Sequence, residues 1–482
     1  MSSAPDKKMA DGNDELFFSS IAELSAKLRA HQISAVELTR AFCDRFERLA
    51  PRYNALAFSL RDEAIKQAKD VDWELKVDRF RGPLQGIPCG VKDLLAVAKH
   101  PTTWGAKPFA GQVFDYDAAV VEKLRKAKAI VIGKLSMVEL AGGGGYRFAA
   151  ASLFGAGLNP WDRTRWSGGS SSGSGSAVAA GLVPFAIGSE TNGSILTPSS
   201  YCGVTGLRPT YGLVSRHGAM ALSWTMDKLG PMCRSAEDCG MVLEAIAGGD
   251  SRDAGSAGKG YFHNPQFFRK LSDLRTGYAP VDFEEWAEPE AREAFKQALG
   301  VLREIGLPLK ETKLADLPYG AVTSTIIRAE GGSAFESLIR SGRVDELADQ
   351  KQIAGLKAAL ELPAADYLRA MRIRTLVRKA FRELFVEQDV LVTAATFGPA
   401  PKLSTPLDAE PDRPRPKDPG LSRLTPAGNL AGLPALSLPC GFVNGLPVAI
   451  QLVGRPFSET NLIAIGMEFQ KRTDFHKRRP PA

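Results

Sequence analysis

Histidine is scarce, with five in 482 residues. That leaves few imidazoles for a Ser-His-Asp hydrolase and few nitrogens for zinc. Cysteine does not fill the gap. The six thiols at 43, 89, 202, 233, 239 and 440 are scattered, with no CxxC pair, and Cys233 and Cys239 have no histidine between or beside them. In a chain of this length they read as buried thiols of a reducing compartment. No run of about 18 apolar residues is present. The start, MSSAPDKKMADGNDELFF, has no long apolar core of a signal peptide. Basic residues exceed acidic ones, 61 to 54, for a net charge of +7. They are mixed with acids, and no block is long enough to read as a nucleic-acid arm. These absences predict a cytoplasmic protein with no cofactor, no metal, no membrane contact and no nucleic-acid partner.

What is present is globular. The chain is 44% hydrophobic and 24% charged, which permits a large buried core. Residues 1–15 read as a disordered tail, 16–475 as one large domain, and 476–482 as a solvated basic tail. Ser20-Ile-Ala-Glu23 and Ser34-Ala-Val-Glu37 are capping boxes opening helices. The pattern predicts a helix over 116–127, a strand over 129–133, helices over 285–305 and 364–388, and a strand over 389–393. Residues 177–240 read as buried strands joined by tight loops. The Pro-rich segment 399–423 reads as a long loop placed to act as a lid. ALSLPCGF and LPVAIQLVG, joined at Asn444-Gly445, form a hairpin signal. Alternating elements give an α/β class with a central mixed, twisted sheet surrounded by helices.

The chemistry concentrates in SGGSSSGSGSAVAAGLVPFAIGSETNGS, residues 167–194. A linker would not lead straight into apolar Ala177–Leu182. A phosphate loop would need the lysine of GxxxxGK[ST], and none follows. A dinucleotide loop would need a strand before the glycines. Gly169-Ser-Ser-Ser-Gly173 matches the G-x-S-x-G elbow, which would make Ser171 the nucleophile, with His217, His263 or His476 as its base. The residues before it, Arg163–Ser167, lack the buried strand that an elbow requires.

Other motifs point elsewhere. Gly86-Ile-Pro-x-x-Val-Lys-Asp93, Gly168-Gly-Ser-Ser171, Glu190-Thr-Asn-Gly-Ser-Ile195, Cys202-Gly-Val-Thr-Gly-Leu-Arg-Pro-Thr210 and Asn429-Leu-Ala-Gly-Leu-Pro434 occur in that order. Together they resemble the amidase signature family over roughly residues 20–475. The resemblance implies Ser194 as nucleophile, Ser170 after a cis peptide as proton relay, and Lys92 as base and then acid. It also implies an oxyanion hole from the backbone of Thr191, Asn192, Gly193 and Ser194. A lysine can serve as base only if burial lowers its pKa from about 10.4 toward ~7–8. Ile87, Val91, Leu94 and Leu95 around Lys92 suit that demand. Three positions depart from the family pattern: Glu190 for aspartate, Asn192 for glycine and Leu196 for arginine. They put the supporting residues in question more than the catalytic ones.

On substrate, Gly143, Gly144, Tyr146 and Trp224 are expected to line an open pocket for aryl or alkyl amides. Esters and carbamates share the same oxyanion-forming path. The expected function is therefore a stand-alone serine hydrolase of small amides, compatible with a homodimer. The alternatives are a urethane-specific hydrolase, the A subunit of a tRNA-dependent glutamine amidotransferase, and a catalytically inactive subunit for binding or assembly. Ser422 and Arg423 stand where the A subunit has an acidic residue, and residues 350–375 show no glutamine-reading arginine motif. Both observations weigh toward the stand-alone enzyme.

Overall fold

The computed structural model describes residues 14–409 and 413–481. The expectations for residues 1–13, 410–412 and 482 lie outside them. Eleven strands build one sheet. In chain order they are β1 (Leu56–Ser59), β2 (Pro88–Lys92), β3 (Ile130–Leu135), then, after the separately paired β4 (Leu158–Asn159) and β5 (Asp162–Trp166), β6 (Phe185–Glu190), β7 (Thr205–Arg208) and β8 (Lys228–Cys233). The rest are β9 (Thr276–Tyr278), β10 (Leu309–Glu311), β11 (Val390–Ala394), β12 (Ala435–Val443) and β13 (Leu446–Gly454).

The spatial order is β1-β3-β2-β6-β8-β7-β12-β13-β11-β9-β10. β3, β2 and β6 run parallel, as do β11, β9 and β10, while β6, β8, β7, β12 and β13 alternate in direction. The sheet is therefore mixed, as the alternating elements predict. Its middle strands are buried along their whole length, which is why they read as apolar runs and not as alternating patterns.

Local signals explain several elements. Both capping boxes form, with Ser20 and Ser34 each accepting the amide of the glutamate three residues on. The β12–β13 hairpin closes at Asn444 and Gly445, whose φ values of 52° and 79° make the two-residue turn their sequence favours.

Three expectations need correction. The stretch 177–240, read as buried strands joined by tight loops, also holds helices: Leu196–Cys202 and the start of Ala236–Ile246 lie within it, and Ser172–Ala179, with every residue buried, runs into it. Glycine and serine are poor helix formers, but here their size decides. A Cβ at Gly173 would lie 2.6 Å from Ser136 N, and one at Gly175 would lie 3.0 Å from Pro198 O, so only a thin helix fits. The amino-terminal tail does not extend to residue 15. Asp14–Phe18 is helical, with the Phe17 ring 5.1 Å from that of Phe42 and Asp14 paired to Arg45 at 2.9 Å. The basic carboxyl end is not a free tail either. Arg234 donates to the carbonyls of His476 (2.8 Å) and Arg478 (3.1 Å), and Arg479 lies 4.7 Å over Phe18.

Candidate active site

Lys92 ends β2, which lies between β3 and β6, third from one edge of the sheet, and it has no exposure to solvent. Ile87, Val91, Leu94 and Leu95 are buried around it. Its Nζ lies 2.7 Å from Ser170 Oγ, 3.0 Å from Ser171 Oγ and 2.9 Å from Ser189 Oγ. Burial drives the amine well below the ordinary lysine value, against the weaker pull of Asp227 and Glu190. No carboxylate bonds it among the described residues. The neighbouring Asp93 points to the opposite face and pairs with Lys134 at 2.9 Å, as strand alternation requires.

Ser170 follows a cis Gly169–Ser170 peptide and is buried. Ser194 lies on the loop after β6, leading into the Leu196–Cys202 helix, and lines a cleft of about 580 Å³. Its hydroxyl makes no hydrogen bond among the described residues and is accessible from that cleft. The amides of Asn192, Gly193 and Ser194 are likewise uncommitted there. Gly193 takes φ 85°. The left-handed residue of this turn is thus Gly193, and Asn192 needs no special backbone freedom.

Glu190 resolves the question raised by the departures. One of its carboxylate oxygens accepts the amides of Ile195 (2.9 Å) and Leu196 (3.0 Å). The other accepts from Arg208 (2.8 Å) and Asn429 (2.9 Å), and Lys228 bonds the amide oxygen of Asn429 at 2.6 Å. Burial opposes this charge, yet Arg208 and Lys228 hold the carboxyl down at about 2. The longer acid therefore anchors the Ser194 loop from behind. Thr191 donates to buried Asp227 at 2.5 Å, and Asp227 accepts the amides of Leu222 and Ser223. Leu196 is buried in apolar surroundings.

The expected substrate residues divide. Gly144 and Tyr146 line the Ser194 cleft. Gly143 does not: it is covered, and a Cβ there would lie 2.9 Å from Leu222 and 3.1 Å from Phe335. Trp224 lines a second cavity of about 460 Å³ that meets the first at Ala141, Thr191 and Leu222. Ser171 is no elbow nucleophile bonded to a histidine. It donates to Ser189 O (3.1 Å) and holds Lys92. Ser189 was missed in the sequence; its only signal is its place next to Glu190 at the end of a buried strand. Arg328 and Lys351, which also line the Ser194 cleft, carried no motif at all.

The amidase family model matches residues 37–463. The chain belongs to the amidase signature family. It is similar to the A subunit of the Glutamyl-tRNA(Gln) amidotransferase of Carboxydothermus hydrogenoformans, 35% identical over 97% of this chain and 99% of the relative. Among solved structures it resembles a chain from a vestigial protein complex tied to the origins of an s-triazine catabolic enzyme (TM-score 0.86, 29% identity, 96% and 100% coverage). It also resembles the peptide amidase of Stenotrophomonas maltophilia (TM-score 0.82, 30% identity, 98% and 99% coverage).

The first of these relatives overturns two expectations. The preference for a stand-alone small-amide hydrolase gives way to the A-subunit alternative, and the exclusion of a nucleic-acid partner falls with it. The physical error is visible. Ser422 and Arg423, used to argue against that alternative, line a separate cavity of about 340 Å³ with Trp286 and Phe397. Their identity says nothing about the Ser194 cleft. Net charge also misled, because one member of a complex can serve a nucleic-acid reaction through its partners without a basic arm of its own.

Proposed function

We propose that this chain is the amide-hydrolysing A subunit of a tRNA-dependent amidotransferase, freeing ammonia from glutamine for use by partner subunits. Its place would be the cytoplasm, where six buried cysteines stay as thiols. The observation that carries the reading is near-complete alignment with the Carboxydothermus relative, 97% of one chain against 99% of the other.

The hydrogen-bond pattern supports a mechanism. A neutral lysine has two donors and one lone pair. Ser171 spends its proton on the carbonyl of Ser189, so it can only accept from Lys92. The lone pair is left for Ser170 or Ser189, and Ser170 is nearer at 2.7 Å. Ser170 then passes its proton to Lys92 and takes the proton of Ser194. Ser194 Oγ attacks the side-chain amide carbon, and the oxygen gains negative charge facing the amides of residues 191–194. The same relay returns a proton to the departing nitrogen. Ammonia leaves, and water repeats the path to release glutamate and free Ser194. Ser170 and Ser194 are not hydrogen-bonded in the resting site; such contacts tighten in the reacting complex.

The test is ammonia release from glutamine by the chain purified with its co-expressed partner subunits, alongside a Ser194→Ala control. Formation of Gln-tRNA from Glu-tRNA is measured in the same preparation. Release that depends on Ser194 and supports amidation is expected. A chain that recruits no partner and leaves glutamine intact refutes the proposal.

A further inference from the structure

A concentration of unanswered charge lies away from the Ser194 cleft, where the two ends of the described chain meet. A cavity of about 540 Å³ opens between the Ala35–Leu49 helix, the Ala50–Tyr53 turn that continues it, and the chain at Arg479. Positions 41, 45, 48 and 52 recur every three or four residues, so one face of this helix and turn brings Ala41 and three arginines to the wall. Arg479 adds a fourth from the other side, and no lysine lines the cavity among the described residues.

Two acids share the wall, and both are already engaged. Asp14 bonds Arg45 at 2.9 Å, and Asp44 bonds Arg61, outside the cavity, at 2.6 Å. Arg45 also donates to the carbonyl of Ala180 at 3.2 Å, which fixes it in place. Arg48, Arg52 and Arg479 make no ion pair or hydrogen bond among the described residues. A helix C-terminus favours a nearby cation, which accounts for Arg48 in the last turn of Ala35–Leu49. It does not account for three free guanidiniums in one cavity, one of them brought from the far end of the chain. Their crowding reaches behind the wall. Arg45, Arg234 and Arg479 lie 5.5, 4.9 and 4.7 Å from the centre of the Phe18 ring. Burial and then the charge of Arg479 pull the Arg234 guanidinium down to about 10.

Tyr53 is a second, independent sign. It is only 6% exposed, it lines the cavity, and its hydroxyl bonds to nothing among the described residues. A buried tyrosine normally finds a partner for that group. We propose that this cavity binds a compact anion carrying two or three phosphate groups, with Arg48, Arg52 and Arg479 receiving its oxygens and Tyr53 donating a further hydrogen bond. Three surplus charges match a short phosphate chain better than a single carboxylate, and the guanidinium fork grips phosphate oxygens in pairs. The volume is that of a small-ligand site. An extended RNA backbone fits worse, because the exposed carboxylates of Asp14 and Asp44 flank the arginines.

The test is calorimetric titration of the full chain, purified without phosphate, with orthophosphate, pyrophosphate and tripolyphosphate. Saturable one-to-one binding that tightens along that series is expected. Arg48→Gln, Arg52→Gln and Arg479→Gln change exposed side chains and should each weaken tripolyphosphate binding about tenfold. The double variant Arg378→Gln, Arg382→Gln alters two exposed arginines of a separate cavity and should leave it unchanged. ATP as a further titrant separates the sources. Affinity no higher than that of tripolyphosphate assigns the site to the phosphate chain alone, and higher affinity assigns it to a nucleotide. Absence of saturable binding overturns the proposal. So does an equal loss in the Arg378, Arg382 control, which would reduce the effect to general attraction toward a chain of net charge +7. Binding confined to a single-stranded RNA oligonucleotide overturns it as well.

Discussion

Lys92 and Lys134 stand on adjacent parallel strands, and neither is exposed. Their surroundings are opposite. Lys134 meets Asp93 (2.9 Å), Thr102 Oγ1 (2.5 Å) and the carbonyl of Pro101 (3.0 Å). Lys92 meets three serine hydroxyls and no carboxylate. Burial lowers both amines, but Asp93 holds Lys134 up while Lys92 falls well below its ordinary value. Register explains the split. Lys134 pairs with Val91, so it shares a face with Val91 and Asp93, and Lys92 points the other way. One side chain type at one depth thus becomes a structural cation on one face of the sheet and a candidate base on the other. The partner decides, not the burial.

The largest expected effect separates the two. Lys92→Met should cut turnover by about 10²–10⁴-fold, the usual worth of a positioned acid–base group, while thermal unfolding stays near wild type. Lys134→Met should do the reverse. It strands Asp93 in the core at a cost of about 3–5 kcal/mol and leaves kcat of the folded fraction nearly intact. Adding Asp93→Asn should restore much of that stability. Calorimetry and kinetics on the same preparations check both, and a stability loss at Lys92 with no kinetic loss would erase the distinction.

Next in size is Glu190→Gln. It leaves Arg208 without its anion and weakens the grip on the amides of Ile195 and Leu196. A loss of about 1.5–3 kcal/mol in stability is expected, with a fall in kcat greater than any rise in KM.

The pH dependence follows in size. The proposed mechanism needs neutral Lys92, so kcat should rise with pH through its lowered value, and the limb reports the coupled lysine–serine unit. Between that value and the ordinary one, the unfolded chain binds the extra proton. This group's contribution to stability therefore increases with pH across that window.

The smallest effect concerns Asp282, whose carboxyl burial pushes up to about 7. It accepts from Thr393 (2.5 Å) and from the amide of Leu421 (2.9 Å). The folded state holds this proton where the unfolded one has lost it. Stability from it is full in acid and declines as pH rises through about 7. Asp282→Asn should narrow the difference between urea midpoints at pH 5 and pH 8.

Sequence reading reached features governed by neighbours in the chain. The capping boxes, the Asn444-Gly445 hairpin and the mixed sheet are of that kind, as is the apolar setting of Lys92. It failed where distant segments meet. Nothing local shows that Gly173 and Gly175 pack a helix against Ser136 and Pro198, or that Ser189 reaches Lys92 from another strand. Trp224 lines a neighbouring cavity together with Asp227, behind a wall shared with the Ser194 cleft at Ala141, Thr191 and Leu222. The long loop over 399–423 was recognised, but not its fastening: Leu403 bonds to Thr164, Leu407 to Arg147 and Arg413 to Glu285. It reaches the cleft through Leu407.

The tether at Glu190 has a consequence for how such a scaffold can diversify. The candidate catalytic groups are bolted to sheet strands and to the Asn429 helix, whereas the outer wall comes from the helices bearing Arg328 and Lys351. Exchanging side chains on those helices would redraw what the cleft admits and leave the Lys92–Ser170–Ser194 cluster where it stands, so selectivity and reactivity can drift apart over evolutionary time.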